Sequence, residues 1–599
     1  MPVMSPSISI RRLSATWNCW ATACATAWRK SPAVAERAAV LRRITGPVSS
    51  HLLQQALSLP APHTRAVSVT RGLSIPVTRG RTLEADHWAP RASRRPLPTL
   101  LVGTPYGRGS LLASLLARPY AERGFQVLLT SLASTLKAGE PHFGSPASDR
   151  EDLLAVVEWI TRQDWFDGCL ALTGPSYLGY VQWTVAEALP PEVRALVPQM
   201  TSSRLPFSLR GDGMFAFDAA LRWCLLIDRL QRHGAAWGML RFAADRLHKD
   251  LGALPVEQAD RRLRGRTLPL YQLLVQHDGS DPFWEGWDFS DRVGATTVPV
   301  SLVAGWYDLF VGDQLRDYAR LSAAGRRPRL TVGPWTHLGA GALAAGIRET
   351  LTWAGAHCRH EPPAARLPVR LYVLGGGGWQ DFDQWPPRGT SPRPWYLREN
   401  GRLSCEPPSH REQSSSYSYD PARPTPAVGG ALFLPGAGRR DNRSLERRAD
   451  VLTFTSGPLA EGIEVIGEVT VQLWVGADHP ASDLFVRLCD LGPDGRSWNV
   501  CDTFTRVQRD LATSAAPAGP VRLQLSPTAS LFRRGHRLRV QISSGAYPRF
   551  ARAGRARAHL ARATTLDRVR QEIFHDRERP SCLVLPVLSH AAAYRTSAP

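Results

Sequence analysis

Gly174-Pro175-Ser176-Tyr177-Leu178-Gly179 sets a serine between two glycines in the pattern G-x-S-x-x-G. Its second glycine falls one place later than in the common G-x-S-x-G nucleophile elbow. A serine hydroxyl attacks a carbonyl only when a base removes its proton, and that base needs an acid to orient it. Two later segments supply both. Val298–Ala304 runs into Gly305-Trp306-Tyr307-Asp308, and Arg329–Val332 runs into Gly333-Pro334-Trp335-Thr336-His337. The order serine, acid, histidine, each just beyond the carboxyl end of a strand, suits acyl transfer at the rim of a parallel sheet.

The competing residues have weaker positions. Asp313 falls inside the helix that follows Asp308, His357 and His360 follow a helical run, and His277 precedes the aspartate loop. Asp308 is therefore the expected acid and His337 the expected base. With 49 glycines in the chain the serine pattern alone has little specificity. Its context supplies the rest, because Cys169–Thr173 reads as a strand running in and Tyr177–Ala188 as a helix running out. A helix starting beneath the serine offers backbone N–H groups to a developing oxyanion.

The elements that must hold these loops follow from alternating short apolar runs and helical stretches. Leu100–Val102, Gln126–Thr130, Cys169–Thr173, Val298–Ala304 and Arg329–Val332 read as buried strands. The clearest helix is 149–163, where Ser148 and Glu151 are spaced as a capping box. Strand–helix alternation predicts a mostly parallel sheet covered on both faces. Residues 202–290 break it with helical segments at Ala216–Gln231, Trp237–Lys249 and Leu268–Gln276, expected to cap the site. From 365 to 599 the runs Val369–Val373, Val451–Phe454, Glu464–Val475, Leu484–Leu488, Val521–Leu525 and His536–Ile542 predict an all-β domain of sandwich or jelly-roll type. Pro407–Pro426 reads as a loop within it. The expected division is a catalytic α/β domain at 66–201 and 291–364, a cap at 202–290 and the β domain thereafter. Residues 1–65 read as a poorly ordered extension, a signal, or the product of a start assigned too far upstream.

Lys+Arg 73 against Asp+Glu 52 leaves a formal charge of +21. Only Lys30, Lys137 and Lys249 are lysines, and the arginines are spread along the whole chain. That is the signature of GC-rich codon usage rather than of a nucleic-acid surface, so no nucleic-acid partner is expected. No apolar stretch is long enough to span a membrane. Nine cysteines without a C-x-x-C pair fit neither a disulfide framework nor a zinc site, and suit a reducing cytoplasm better than secretion. Arg11-Arg12 faintly echoes a twin-arginine signal, but the stretch after it is a poor apolar segment.

At these motifs the chain resembles the cocaine-esterase-like acyl hydrolases, relatives of Xaa-Pro dipeptidyl-peptidases and α-amino-acid ester hydrolases. The matching segments are T-P-Y-G-R (104–108), W-I-T-R-Q-D-W-F-D-G (159–168), G-P-S-Y-L-G, G-W-Y-D-L-F-V-G and G-P-W-T-H. In the β region L-E-R-R-A-D-V-L-T-F-T-S, G-P-D-G and F-R-R-G-H-R-L-R-V-Q-I-S-S also match. The resemblance spans about 66–560. It implies an α/β-hydrolase domain with a helical cap, a C-terminal jelly roll, and an acyl-enzyme route that requires no metal or organic cofactor. It also implies an oxyanion hole built from the Tyr106 hydroxyl and the Tyr177 backbone N–H. The expected substrate is a small ester or a short peptide, and a homo-oligomer is allowed.

Two departures bear on substrate choice. Thr130-Ser131-Leu132-Ala133-Ser134 stands where the family carries Asp-Arg-Gly, and Arg79-Gly80 stands for its Asp-Gly. The alternatives are an Xaa-Pro dipeptidyl-peptidase or α-amino-acid ester hydrolase, in which Asp281, Glu285 or Asp288 would hold a free amine, and a catalytically weak protein whose β domain binds carbohydrate or a partner.

Overall fold

The computed structural model describes residues 47–589 apart from 92, 94, 109–110, 133–144, 206, 210–213, 244–251, 278, 280, 364, 434–435, 480, 509–518 and 553–559. The substituted segment at 133–134 lies outside the described residues, whereas Leu132 is buried.

The apolar runs form the centre of a ten-stranded sheet. Its strands are β1 (Val67–Pro76), β2 (Thr82–Pro90), β3 (Leu97–Thr104), β4 (Gln126–Ser131), β5 (Phe166–Pro175), β6 (Val193–Gln199), β7 (Ser301–Tyr307), β8 (Arg329–Thr336), β9 (Val369–Val373) and β10 (Gly378–Phe382). They lie in the order β1-β2-β4-β3-β5-β6-β7-β8-β9-β10. β3 pairs in parallel with β4 and β5, and parallel pairing continues through to β9. β1, β2 and β10 run antiparallel to their neighbours.

Strand periodicity sends alternate residues to opposite faces. Leu100 and Val102 join one apolar layer with Leu116, Tyr120, Ile347 and Leu351, while Leu101 joins the other with Leu153, Val157 and Tyr180. Both faces are buried, which explains why the strands read as continuous apolar runs.

Several expectations need correction. Val369–Val373 belongs to this first sheet, in parallel register with β8, rather than to the sheet of the later strands. Its alternation suits either sheet, and only the partner decides. The helix expected at 149–163 spans Pro146–Thr161, capped by Ser145, whose side chain accepts from the Ser148 N–H. Pro146 at the first helical position explains the earlier start, since its missing N–H has no intrahelical role there. Residues 47–59 are packed rather than loose: Pro47–Leu57 is helical, Leu57 and Leu59 are buried, and Arg348 donates to the Leu57 carbonyl at 2.8 Å.

The region between β6 and β7 contains one long helix, Phe217–Ala243, where two were expected. Shorter helices follow at Ala259–Arg264 and Pro269–Gln276. Among the described residues no helix is long and apolar enough to cross a membrane.

The remaining strands build a second unit around its own apolar cluster, including Val471, Leu473, Leu484, Val486, Val540, Ile542 and Leu585. Its longest ladder pairs Ala481–Leu491 with Ser497–Gln508 across the Gly492–Gly495 turn. Glu464–Val475 divides into Ile463–Gly467 and Thr470–Ala477, with Gly467 at a φ of 143°. The stretch expected as a loop at 407–426 holds a strand, Ser415–Tyr419, paired with Val569–Phe574.

Candidate active site

β5 ends at the serine, and the chain reverses sharply into the helix Tyr177–Val185. Ser176 has φ 58° and ψ −126°, a strained conformation for a residue with a side chain. Surrounding bonds over-determine it. The Ser176 N–H donates to the Gln199 carbonyl at 2.9 Å, and its own carbonyl accepts from the N–H groups of Gly179 and Tyr180 at 2.9 Å. The Thr201 hydroxyl adds a further bond to that carbonyl at 2.7 Å.

The two glycines of the motif are needed for space. A Cβ on Gly174 (φ 156°) would stand 2.5 Å from the Leu178 Cβ, and one on Gly179 2.7 Å from the Thr201 Cγ2 and 2.9 Å from the Gly174 carbonyl oxygen. The displaced second glycine is thus where the helix meets both β5 and the Thr201 loop. Gly179→Ala is expected to cost about 1–3 kcal/mol by forcing this contact apart. Thermal unfolding would register it as a lower melting temperature.

Asp308 follows β7 and His337 follows β8, and the two loops meet over the serine. His337 Nδ1 lies 2.5 Å from Asp308 Oδ2, and Nε2 lies 3.1 Å from Ser176 Oγ. Both Asp308 and His337 are buried. The second Asp308 oxygen accepts the Phe310 N–H at 2.7 Å, which fixes the carboxylate plane. A carboxylate accepts only, so Nδ1 carries the proton and Nε2 is left to accept from the serine hydroxyl.

The competing residues lie elsewhere. Asp313 pairs with Arg316 at 2.5 Å and accepts from the Ser208 hydroxyl. His277 pairs with Asp281 at 2.7 Å and stacks on Phe283. His357 sits against Trp353 at the end of the helix Ala340–Cys358, where burial lowers its pKa. His360 has a φ of 55° just past that helix.

Tyr106 lies in the loop after β3. Its hydroxyl accepts the Trp223 indole N–H at 3.2 Å and lies toward Ser176. Burial raises the phenol to about 12 against the opposing effect of Trp223 and Ser176, so the proton stays on the oxygen at neutral pH. The Tyr177 side chain is buried and turned away, its hydroxyl donating to Asp149 at 2.8 Å. That leaves its backbone at the helix start beside Ser176.

Sequence reasoning missed three aromatic residues at the site. Phe310 meets the His337 ring edge-on at 5.4 Å, and Phe433 lies on another side at 5.5 Å. Trp223 comes from the long helix between β6 and β7. Phe310 was legible as the residue two places after Asp308, but Phe433 belongs to the second unit and only tertiary contact reveals it. Its loop is anchored by Arg487, whose buried guanidinium donates to the Val428 carbonyl at 2.5 Å, Asn442 Oδ1 at 2.6 Å and Asp502 Oδ2 at 2.9 Å. Burial alone would raise the Asp502 carboxyl, but Arg549 and Arg487 hold it below its usual range. A paired charge thus pins both ends of the segment that carries Phe433.

This arrangement defines a class, the serine hydrolases built on a mostly parallel α/β sheet. Residues 79–339 match the X-Pro dipeptidyl-peptidase (S15 family) model, and residues 365–584 match the X-Pro dipeptidyl-peptidase C-terminal non-catalytic domain. The chain is 31% identical over 575 residues to a cocaine esterase of Rhodococcus sp. (strain MB1 Bresler), covering 87% of this chain and 99% of that one. The protein belongs to the cocaine-esterase family of serine hydrolases, with an α/β-hydrolase-like domain and a separate C-terminal β-rich domain. Two solved structures share the fold. An α-amino acid ester hydrolase superposes with a TM-score of 0.72 at 22% identity, covering 88% of this chain and 98% of that one. An aminopeptidase from a Thaumarchaeota archaeon gives 0.71 at 20% identity, with 87% and 97% covered.

Proposed function

We propose that this serine hydrolase cleaves small acyl esters through an acyl-enzyme on Ser176, with His337 as base and Asp308 as its orienting acid. The 3.1 Å approach of His337 Nε2 to Ser176 Oγ carries the reading. His337 removes the hydroxyl proton as Oγ attacks the carbonyl, and it returns that proton to the leaving alcohol. Asp308 keeps Nδ1 protonated and stabilises the imidazolium. The Tyr106 hydroxyl and the Tyr177 N–H bind the tetrahedral oxyanion. Water then attacks the acyl-enzyme along the same path. The helices between β6 and β7 act as a cap, and the C-terminal domain is a jelly roll that lends Phe433 to one wall.

An ester is favoured over a substrate anchored by its free amine. Asp281 accepts from the Phe283 N–H and pairs with His277, Asp288 accepts from the Ser290 N–H and faces Arg204, and Glu285 is exposed. Each candidate amine anchor is thus engaged elsewhere or turned to solvent.

A fluorophosphonate probe is expected to label wild-type protein on Ser176 and to leave Ser176→Ala unlabelled. Turnover of p-nitrophenyl esters should exceed that of Xaa-Pro anilides. Labelling that survives in Ser176→Ala would defeat the assignment, and faster anilide turnover would favour the dipeptidyl-peptidase reading.

A further inference from the structure

We propose that Trp223 is a positioning residue for the oxyanion donor, so that the helical cap takes part in setting the reaction rate as well as in covering the substrate. The inference rests on the role given above to Tyr106. An indole N–H can only donate, so its 3.2 Å bond to the Tyr106 oxygen has one polarity. The phenol oxygen accepts there, and its single proton is left for the side facing Ser176. Accepting one hydrogen bond also makes a hydroxyl a better donor in the next. Trp223 therefore selects the rotamer of the O–H and strengthens it.

The same ring touches the second member of the oxyanion pair. The Trp223 and Tyr177 rings lie 6.0 Å apart at 34°, and the Tyr177 hydroxyl is tied to Asp149. One buried side chain from the cap thus packs against the residues that provide both donors. Its own position is braced from two directions. The preceding Arg222 pairs with Asp218 at 2.6 Å, and the Asp218 N–H donates to the Pro548 carbonyl of the C-terminal domain at 3.1 Å. Phe217, in the first turn of the helix, stacks on Tyr547.

If Trp223 were only an apolar wall, removing its N–H while keeping its bulk would alter substrate affinity or nothing. Positioning predicts an effect on the chemical step that depends on Tyr106. The test uses p-nitrophenyl acetate, whose acyl group is too small to need a wall. Trp223→Phe is expected to lower kcat about tenfold, the worth of one neutral hydrogen bond, with KM within about twofold. Tyr106→Phe is expected to lower kcat by about 10²–10³-fold, as loss of an oxyanion donor does. The double variant should match Tyr106→Phe alone, because the bond has no function without its acceptor.

Replacing Trp223 with β-(3-benzothienyl)alanine, which keeps the bicyclic shape and lacks the N–H, should reproduce the loss seen in Trp223→Phe. Full activity in that variant would overturn the proposal even if the phenylalanine variant folds poorly. Additive losses in the double variant, after a normal loss in Tyr106→Phe, would overturn the role of Trp223 alone. An unchanged kcat in Tyr106→Phe would overturn both it and the oxyanion assignment.

Discussion

Ser176→Ala is expected to reduce kcat on p-nitrophenyl esters by about 10⁶-fold, with His337→Ala losing a similar amount and the double variant no worse than either. The two residues form one unit. Without the base the hydroxyl keeps its proton, and without the hydroxyl the base has nothing to activate. The variant should remain folded, because the bonds that hold the strained turn are made by the main chain of Ser176 and by the Thr201 hydroxyl. A circular dichroism spectrum and melting curve like those of the wild type would establish this. Residual catalysis of about 10³-fold over water should survive, since the oxyanion donors are untouched. Retention of more than about a hundredth of wild-type kcat would mean that a different group attacks.

Much of this site could be read from the sequence because its parts are local. Each strand–loop segment announces itself by an apolar run that stops at a glycine, and Ser176, Asp308 and His337 sit directly beyond such stops. The turn at Ser176 needs two glycines within six residues, a local requirement that leaves a visible pattern. What escaped was non-local. Phe433 meets His337 from the second unit, on a segment that Arg487 ties at Val428 and Asn442, and no periodicity encodes that. β9 was placed in the wrong sheet for the same reason, since a five-residue alternating strand carries no mark of its partner. The helical segments expected at Ala216–Gln231 and Trp237–Lys249 meet in one helix, Phe217–Ala243, which runs through Gly234, a residue that costs a helix interior only about 1 kcal/mol. The Tyr106 role came from family resemblance alone. The Thr104–Gly109 segment otherwise reads as an ordinary turn, and only the structure brings its hydroxyl to Ser176 and Trp223.

Asp308→Asn is the subtler substitution, and its expected cost is about 10⁴-fold in kcat with the fold unchanged. The Phe310 N–H decides the outcome. It donates to one Asp308 oxygen at 2.7 Å, so the asparagine must turn its carbonyl oxygen there to avoid opposing two donors. The amide NH₂ then faces His337 Nδ1, across the 2.5 Å contact now filled by a carboxylate oxygen. A donor at that place requires Nδ1 to accept, which moves the ring proton to Nε2. Nε2–H points at Ser176 and cannot take its proton. The base is present, correctly placed and in the wrong tautomer. The rate of fluorophosphonate labelling should fall with kcat, because both reactions need the same proton transfer. Asp313→Asn, by contrast, should keep kcat within about threefold, since Asp313 serves Arg316 and Ser208 away from the imidazole. If Asp313→Asn caused the larger loss, the acid would be Asp313 and the 2.5 Å contact merely structural; if neither substitution changed kcat tenfold, His337 would not depend on an orienting carboxylate.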